Sequence, residues 1–141
     1  KDLRKPIVSL YFQDNLSKEV SKESRLIDSK NLLREPYQEL LKMLISGPEN
    51  ENLEKVIPEG TKINQISLND DILTIDFSNE FVEKSTDDIK RYNSVNTIVK
   101  TLTELTEING IKIIIDGKEI DGFKEIDLDF KEIITAKKFE K

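Results

Sequence analysis

Residues 63–78 read INQISLNDDILTIDFS, and this stretch decides which kind of fold the chain can adopt. Leu73, Ile75 and Phe77 recur at the spacing of two that is typical of a strand with one buried face. A second apolar run at 63–68 precedes them, and a short Asn-Asp-Asp turn joins the two runs. Because the connection is so short, the stretch predicts a β-hairpin.

Further strands are predicted on both sides of this hairpin. Residues 7–12 (IVSLYF) and 111–115 (IKIII) are rich in β-branched and aromatic side chains, which favour strands. Residues 25–28 (RLID) are a weaker candidate, and the polar residues 15–24 before them are expected to form a loop.

The C-terminal part of the chain has weaker signals. Partial alternation of apolar and charged residues over 123–130 indicates one more edge strand. Residues 131–141 are expected to form a loose tail, because they end in a charged KKFEK sequence.

Two helices are predicted between the strands. The first opens at Pro36, which suits the first turn of a helix, and ends at Gly47 and Pro48, which stop it. Its apolar residues recur at helical spacing and form one face: Tyr37, Leu40, Leu41, Leu44 and Ile45.

The second helix is expected to begin within residues 85–88, where hydroxyl side chains are cap candidates and acids suit a helix N-terminus. It is expected to run to about residue 106 before the Asn109-Gly110 break. Its predicted core face consists of Tyr92, Val95, Ile98, Val99, Leu102 and Leu105. Its predicted outer side consists of Lys90, Asn93, Thr97, Lys100 and Glu104.

These elements predict an α+β fold. Each helix has one apolar face, so the expected architecture is a two-layer sandwich. A mixed, mostly antiparallel sheet would carry the two helices on one face. The 141 residues contain no internal repeat or low-complexity linker, which indicates a single domain over residues 1–141.

The composition excludes several kinds of chemistry. The chain has no cysteine and no histidine, so disulfides, thiolate or imidazole metal sites and Ser-His-Asp machinery are ruled out. Its 5 glycines are scattered singly and form no phosphate-binding loop. We therefore predict no catalytic residue, no metal site and no cofactor, and the chain is not expected to be an enzyme.

The net charge of −6 is unevenly distributed along the chain. Residues 49–88 carry eleven acidic and three basic side chains, a net charge of −8. An acidic chain repels a phosphate backbone, so nucleic-acid binding is not expected. The acidic middle serves either solubility or the docking of a basic partner. No apolar run approaches the ~18 residues that span a bilayer. No apolar stretch follows the charged residues 1–5, so no signal peptide is expected.

Carboxylate side chains are the catalytic type that the chain offers in quantity. Asp70-Asp71, Asp87-Asp88 and Asp127/Asp129 are neighbours in sequence, which favours turn or cap roles over those of a small hydrolase. Asp76 is expected to accept backbone N–H bonds in the turn that leads to Phe81. The alternative for Asp76 is a binding-site acid at the edge of the sheet.

A series of short motifs, taken together, resembles the GerMN domain of bacterial sporulation and spore-germination lipoproteins. The motifs are LYFQD (10–14), LISGP (44–48), IPEGT (57–61), DFS (76–78) with Phe81, and IDG (115–117). The resemblance covers about residues 7–120. Eight positions carry the motifs as structural residues: Gly47, Pro48, Pro58, Gly60, Asp76, Ser78, Asp116 and Gly117.

The resemblance implies a non-enzymatic protein–protein interaction module with a ring-building-motif-like fold. It implies an extracytoplasmic location, with a membrane anchor in the full-length protein that is not part of this chain. The implied partners are envelope or sporulation proteins, including further copies of the chain. An exposed sheet edge or helix face would dock them. The alternative is a cell-wall glycan or peptidoglycan-binding module, against which the scarcity of aromatic residues argues.

Overall fold

The computed structural model describes residues 7–27 and 29–140, and its strands form three ladders. In the first ladder, β1 (Ile7–Asp14) pairs antiparallel with β2 (Val20–Leu26) on one side and with the short β3 (Leu53–Glu54) on the other.

The second ladder contains the strands of residues 63–78. Strands β4 (Ile63–Asn69) and β5 (Ile72–Phe77) form the predicted hairpin, and β6 (Gly110–Ile115) pairs with β5 in parallel. The parallel pairing follows from the long helical crossover between β5 and β6. The third ladder is a small one of β7 (Gly122–Phe123) and β8 (Leu128–Asp129).

Four helices connect the strands: α1 (Ser29–Arg34), α2 (Pro36–Ser46), α3 (Glu80–Glu83) and α4 (Asp88–Thr103). Helices α2 and α4 contact each other, and both contact β1. Helix α4 also contacts β6, and α2 also contacts β4. The predicted α+β class is confirmed, and its strands are divided among three ladders that share the core.

One contiguous core joins these elements. Leu10 and Phe12 of β1, Leu73 and Ile75 of β5, and Ile98 of α4 are all buried in it. Phenylalanines at 77, 81, 123 and 130 extend the core, and the first two rings stack with centroids 4.5 Å apart. Such ring pairs stabilise a core beyond the area that they bury.

The loop prediction for residues 15–24 is wrong over its second half. Strand β2 starts at Val20 and pairs with β1 in continuous register, from Gln13 opposite Val20 to Ile7 opposite Leu26. The strand is polar because it lies at the outside of its ladder, where its side chains need little apolar character. Asp28, the last residue of the predicted strand, lies outside the described residues.

The predicted outer side of the second helix is also partly wrong. Asn93 and Thr97 are buried, because β1 and β2 pack against the helix as well as β6. The helix is capped by the Asp87 carboxylate, which accepts the N–H of Ile89 at 2.8 Å, and not by a hydroxyl. A pattern of polar residues predicts exposure only when no other element covers them.

The loose-tail prediction is wrong for the described residues 131–140. Ile134 exchanges two backbone hydrogen bonds with Ile111 of β6, at 2.9 and 2.8 Å. Phe139 is only 6% exposed and packs edge-on against Tyr92, with ring centroids 5.2 Å apart. Buried apolar side chains between the charges therefore fix this segment to the core.

Replacing Phe139 by Ala is expected to lower the free energy of unfolding by about 3 kcal/mol, because a buried aromatic ring is removed. Urea denaturation of the variant measures the loss. Lys137→Ala, at an exposed neighbouring position, is the control and should unfold like the parent. A Phe139→Ala variant as stable as the parent would mean that the segment is loose after all.

Sheet edges and the joints that position them

The first motif pair, Gly47-Pro48, lies at the end of α2, and the buried carboxylate of Glu23 binds the loop that follows it. Gly47 has a positive φ of 103°, and its N–H donates to Met43 O at 3.1 Å. Glu23 of β2 accepts the N–H groups of Glu49 and Asn50 at 3.1 and 2.9 Å. The Glu23 carboxylate therefore anchors the loop after α2 onto β2.

Arg25 completes this joint. Its guanidinium donates to the Glu23 carboxylate and to Gly47 O, the latter at 3.3 Å. Burial alone would raise the pKa of Glu23, but the hydrogen bonds from Arg25, Asn50 and Glu49 outweigh it, so the pKa is lowered. Sequence reasoning missed Glu23 because it placed residues 15–24 in a loop.

A second joint lies where β5 and β6 end. The Oδ1 atom of Asp76 accepts the N–H of Gly117 at 3.1 Å and an Asn64 amide N–H at 3.3 Å. Asp116 and Gly117 have positive φ angles of 48° and 77°, which a tight turn after β6 requires. The expected turn role of Asp76 is thus present, but it stabilises this turn and not the one that leads to Phe81.

The remaining motif positions shape the entry to β4. Pro58 O accepts both the N–H and the hydroxyl of Thr61, at 3.2 and 2.7 Å, and Gly60 has a positive φ of 88°. Ser78 then pairs with Lys62, exchanging backbone and hydroxyl hydrogen bonds of 2.9 and 2.8 Å. Six of the eight motif residues thus lie around the start of β4 and the ends of β5 and β6.

A polar network fixes β1 against α4. The Asn93 amide donates to Gln13 Oε1 at 2.6 Å and to Lys18 O at 2.9 Å, and Gln13 donates to Glu54 at 2.6 Å. Gln13 belongs to the LYFQD motif and is 1% exposed. A buried amide needs such partners, so this network explains why a polar residue ends the buried strand.

Hydrogen bonds and isolated bridges cover parts of the strand edges in these ladders. Ile134 covers β6 at Ile111, and Ile115 N donates to Lys118 O at 2.9 Å at its other end. On β1, the edge opposite β2 pairs with β3, and the N–H of Tyr11 donates to Thr101 Oγ1 at 3.1 Å. The outer edges of β2 and β4 have no paired strand among the described residues.

The open edges of the two long strands β2 and β4 differ in charge. Strand β2 carries Lys22, Glu23 and Arg25, whereas residues 63–69 of β4 carry no charged side chain in a chain that is 35% charged. The side chains of Gln65, Ser67 and Asn69 on β4 are exposed. Natural sheets usually protect an open edge with charges, proline or bulges. The bulge of β4 lies between Ile63 and Gln65 and leaves the rest of the strand regular.

A groove of about 470 Å³ lies between the β1–β2 turn, α4 and the C-terminal segment. Its charged groups have partners within the protein: Lys18 pairs with Glu54 at 3.0 Å and Asp88 with Arg91 at 3.3 Å. No group of three or more carboxylates that could hold a metal ion occurs within residues 7–27 and 29–140. No helix in that part of the chain is long and apolar enough to cross a membrane.

Comparison with solved structures shows which known fold this chain has. The first GerMN domain of the sporulation protein GerM from Bacillus subtilis superposes with a TM-score of 0.77 at 20% identity, over 94% of this chain and 98% of that one. The tandem GerMN domains of the same protein superpose with a TM-score of 0.75 at 19% identity, over 96% of this chain, which spans 47% of theirs. A Clostridium perfringens protein, provisionally assigned as a lipoprotein, superposes with a TM-score of 0.64 at 25% identity, over 97% and 92%. The chain therefore has the fold of a GerMN domain.

The sequence also defines the family. The Germane family model, described as sporulation and spore germination, matches residues 9–121. The chain belongs to this family, which confirms the resemblance inferred from the motifs. No curated protein matches the sequence.

Replacing Glu23 by Gln is expected to lower the free energy of unfolding by about 2 kcal/mol at pH 7, because charge-assisted bonds to Arg25 and the loop are weakened. The pKa of Glu23 is lowered from 4.5 by folding, so the carboxylate stabilises the fold above that pH. Its contribution is lost as the pH falls through the lower folded-state value. Urea denaturation of parent and variant from pH 7 to acid should show the difference shrinking. A difference that stays constant with pH would contradict the stabilising role of the Glu23 carboxylate. Glu51→Gln, at an exposed position, is the control.

Replacing Asp76 by Ala is expected to destabilise the fold by about 1–2 kcal/mol, because the N–H of Gly117 loses its acceptor. Asp76→Asn keeps an oxygen at the same position and is expected to lose less. Thermal unfolding of the two variants measures the difference. Equal losses would show that the charge, and not the hydrogen bond to the turn, is what matters.

Proposed function

We propose that this chain is a non-enzymatic protein–protein interaction module that works on the extracytoplasmic side of a bacterial cell envelope. In this function, the outer edge of β4 receives a strand from a partner protein of the envelope or sporulation machinery. The observation that carries the proposal is that β4 is uncharged, unpaired on one side and regular beyond its bulge, from Gln65 to Asn69. Strand addition to such an edge gives affinity through main-chain hydrogen bonds.

The rigidity of the ladder behind β4 supports this proposal. Strand β5 is paired on both sides, and Leu73, Ile75 and Phe77 fix it in the core. The Asp76 and Ser78 joints hold both the start of β4 and the end of β6. An edge held by such a frame is already shaped for its partner, so little conformational entropy is lost on docking.

The family supports the envelope location and a role outside catalysis. The chain belongs to a sporulation and spore-germination family, and one structural relative is provisionally assigned as a lipoprotein. In the groove beside α4, Lys18 pairs with Glu54 and Asp88 pairs with Arg91, which favours a structural role for these charges over hydrolysis.

The glycan-binding alternative has less support. Sugar rings bind on exposed aromatic faces together with polar groups. All six phenylalanines of the chain are buried in the core, and the Tyr92 ring packs against Phe139. We therefore rank this alternative second.

Photo-crosslinking in the full-length protein in its host tests the proposal. A photoreactive residue at Ser67 of β4 is expected to give discrete adducts with extracytoplasmic proteins. The same residue at Ser24 of β2, equally exposed, is the matched control and is expected to give fewer. Gln65→Lys beside Ser67 should suppress the adducts, because it places a charge on the docking edge. Adducts that are absent at Ser67, or that are equal at both positions, would contradict the proposal.

A further inference from the structure

We infer that the strand received by β4 is β4 of a second copy of this chain, in antiparallel orientation about a two-fold axis near Ile66. The inference rests on the proposed function of the β4 edge and identifies its partner. It is carried by the charges at the two ends of the strand.

The two ends of β4 carry opposite charges. Lys62 precedes the strand, and Asp70 and Asp71 follow it. Lys62 and Asp70 are exposed, and neither forms an ion pair with another described residue. Lys62 also interacts electrostatically with Glu80 at longer range, but without an ion pair, so both end charges can still contact a partner strand.

The orientation follows from the sequence positions of these charges. Antiparallel pairing centred on Ile66 places Lys62 of each copy opposite Asp70 of the other, because residue 66 is midway between them. Parallel pairing would place lysine opposite lysine and aspartate opposite aspartate, which destabilises a strand pair. The bulge near Asn64 places one extra residue on β4, so the match can shift by one position and bring Lys62 opposite Asn69, directly beside Asp70.

The side chains between the two ends also suit a second copy. Residues 63–69 are uncharged, so no like charges meet within the paired region, although each chain carries a net charge of −6. Gln65, Ser67 and Asn69 can both donate and accept hydrogen bonds across the pair. A two-fold arrangement of this kind is closed and gives a dimer.

Charge reversal tests the inference. Sedimentation equilibrium of the parent over a wide concentration range is expected to show a monomer–dimer equilibrium. Lys62→Glu is expected to raise the dimer dissociation constant about tenfold, because two attractive contacts become repulsive. Asp70→Lys should do the same, and the double variant K62E/D70K should restore the parent value. Lys22→Glu on β2 makes the same change in net charge and is the control.

The outcomes separate this inference from the function on which it rests. A parent that stays monomeric, or a double variant as weak as the singles, would overturn antiparallel self-pairing. Crosslinks from Ser67 to other envelope proteins would still uphold the β4 edge as a docking surface. Thermal unfolding of each variant checks that lost association is not lost folding, and a folded Lys62→Glu variant that dimerises like the parent would also overturn the inference.

Discussion

The structure depends on β5, which is paired on both edges and buried on one face. Its antiparallel neighbour β4 arrives through a tight Asn-Asp turn, and its parallel neighbour β6 arrives through the crossover that contains α4. Leu73 and Ile75 are fully buried against that core. Because β5 can take no further strand, the ladder can grow only beyond β4 or beyond β6. The C-terminal segment bridges β6 at Ile111, which leaves β4 as the more open edge of this ladder.

The motif residues shape the turns of this ladder and form hydrogen bonds between its strands. Pro58 and Gly60 turn the chain into β4, Ser78 pairs with Lys62, and Asp76 holds the turn at Gly117. These contacts fix β4 against β5 and β6, and in the proposed function this prepares the open edge of β4 for a partner.

Much of the fold could be predicted because its periodic signals are strong. The alternation at Leu73, Ile75 and Phe77 and the stripe of α2 led directly to the hairpin and the helix that the structure contains. The segment around Ile134 and Phe139 could not be predicted, because two apolar residues among charges give no periodicity. Residues 20–24 of β2 were assigned to a loop for a related reason: an outer strand can be polar and still pair along its length.

Burial was hardest to predict from the sequence for polar residues whose hydrogen-bond partners are distant in the chain. Asn93 is buried because Gln13 and Lys18 O, 80 and 75 residues away, satisfy its amide. Glu23 is buried because the loop after α2 supplies N–H donors. Residue type alone predicts exposure for such side chains, and only the tertiary contacts reverse it. For the same reason, the open edge of β4 could be located only once the partners of β1 and β6 were known.

Backbone hydrogen exchange as a function of protein concentration tests the central claim most directly, because it reports on each strand separately. If β4 is the edge at which two copies of the chain pair, protection of amides in residues 63–69 should rise with concentration, while protection in β5 and β2 stays constant. Protection that is independent of concentration in β4, or that rises first in β2, would contradict the claim.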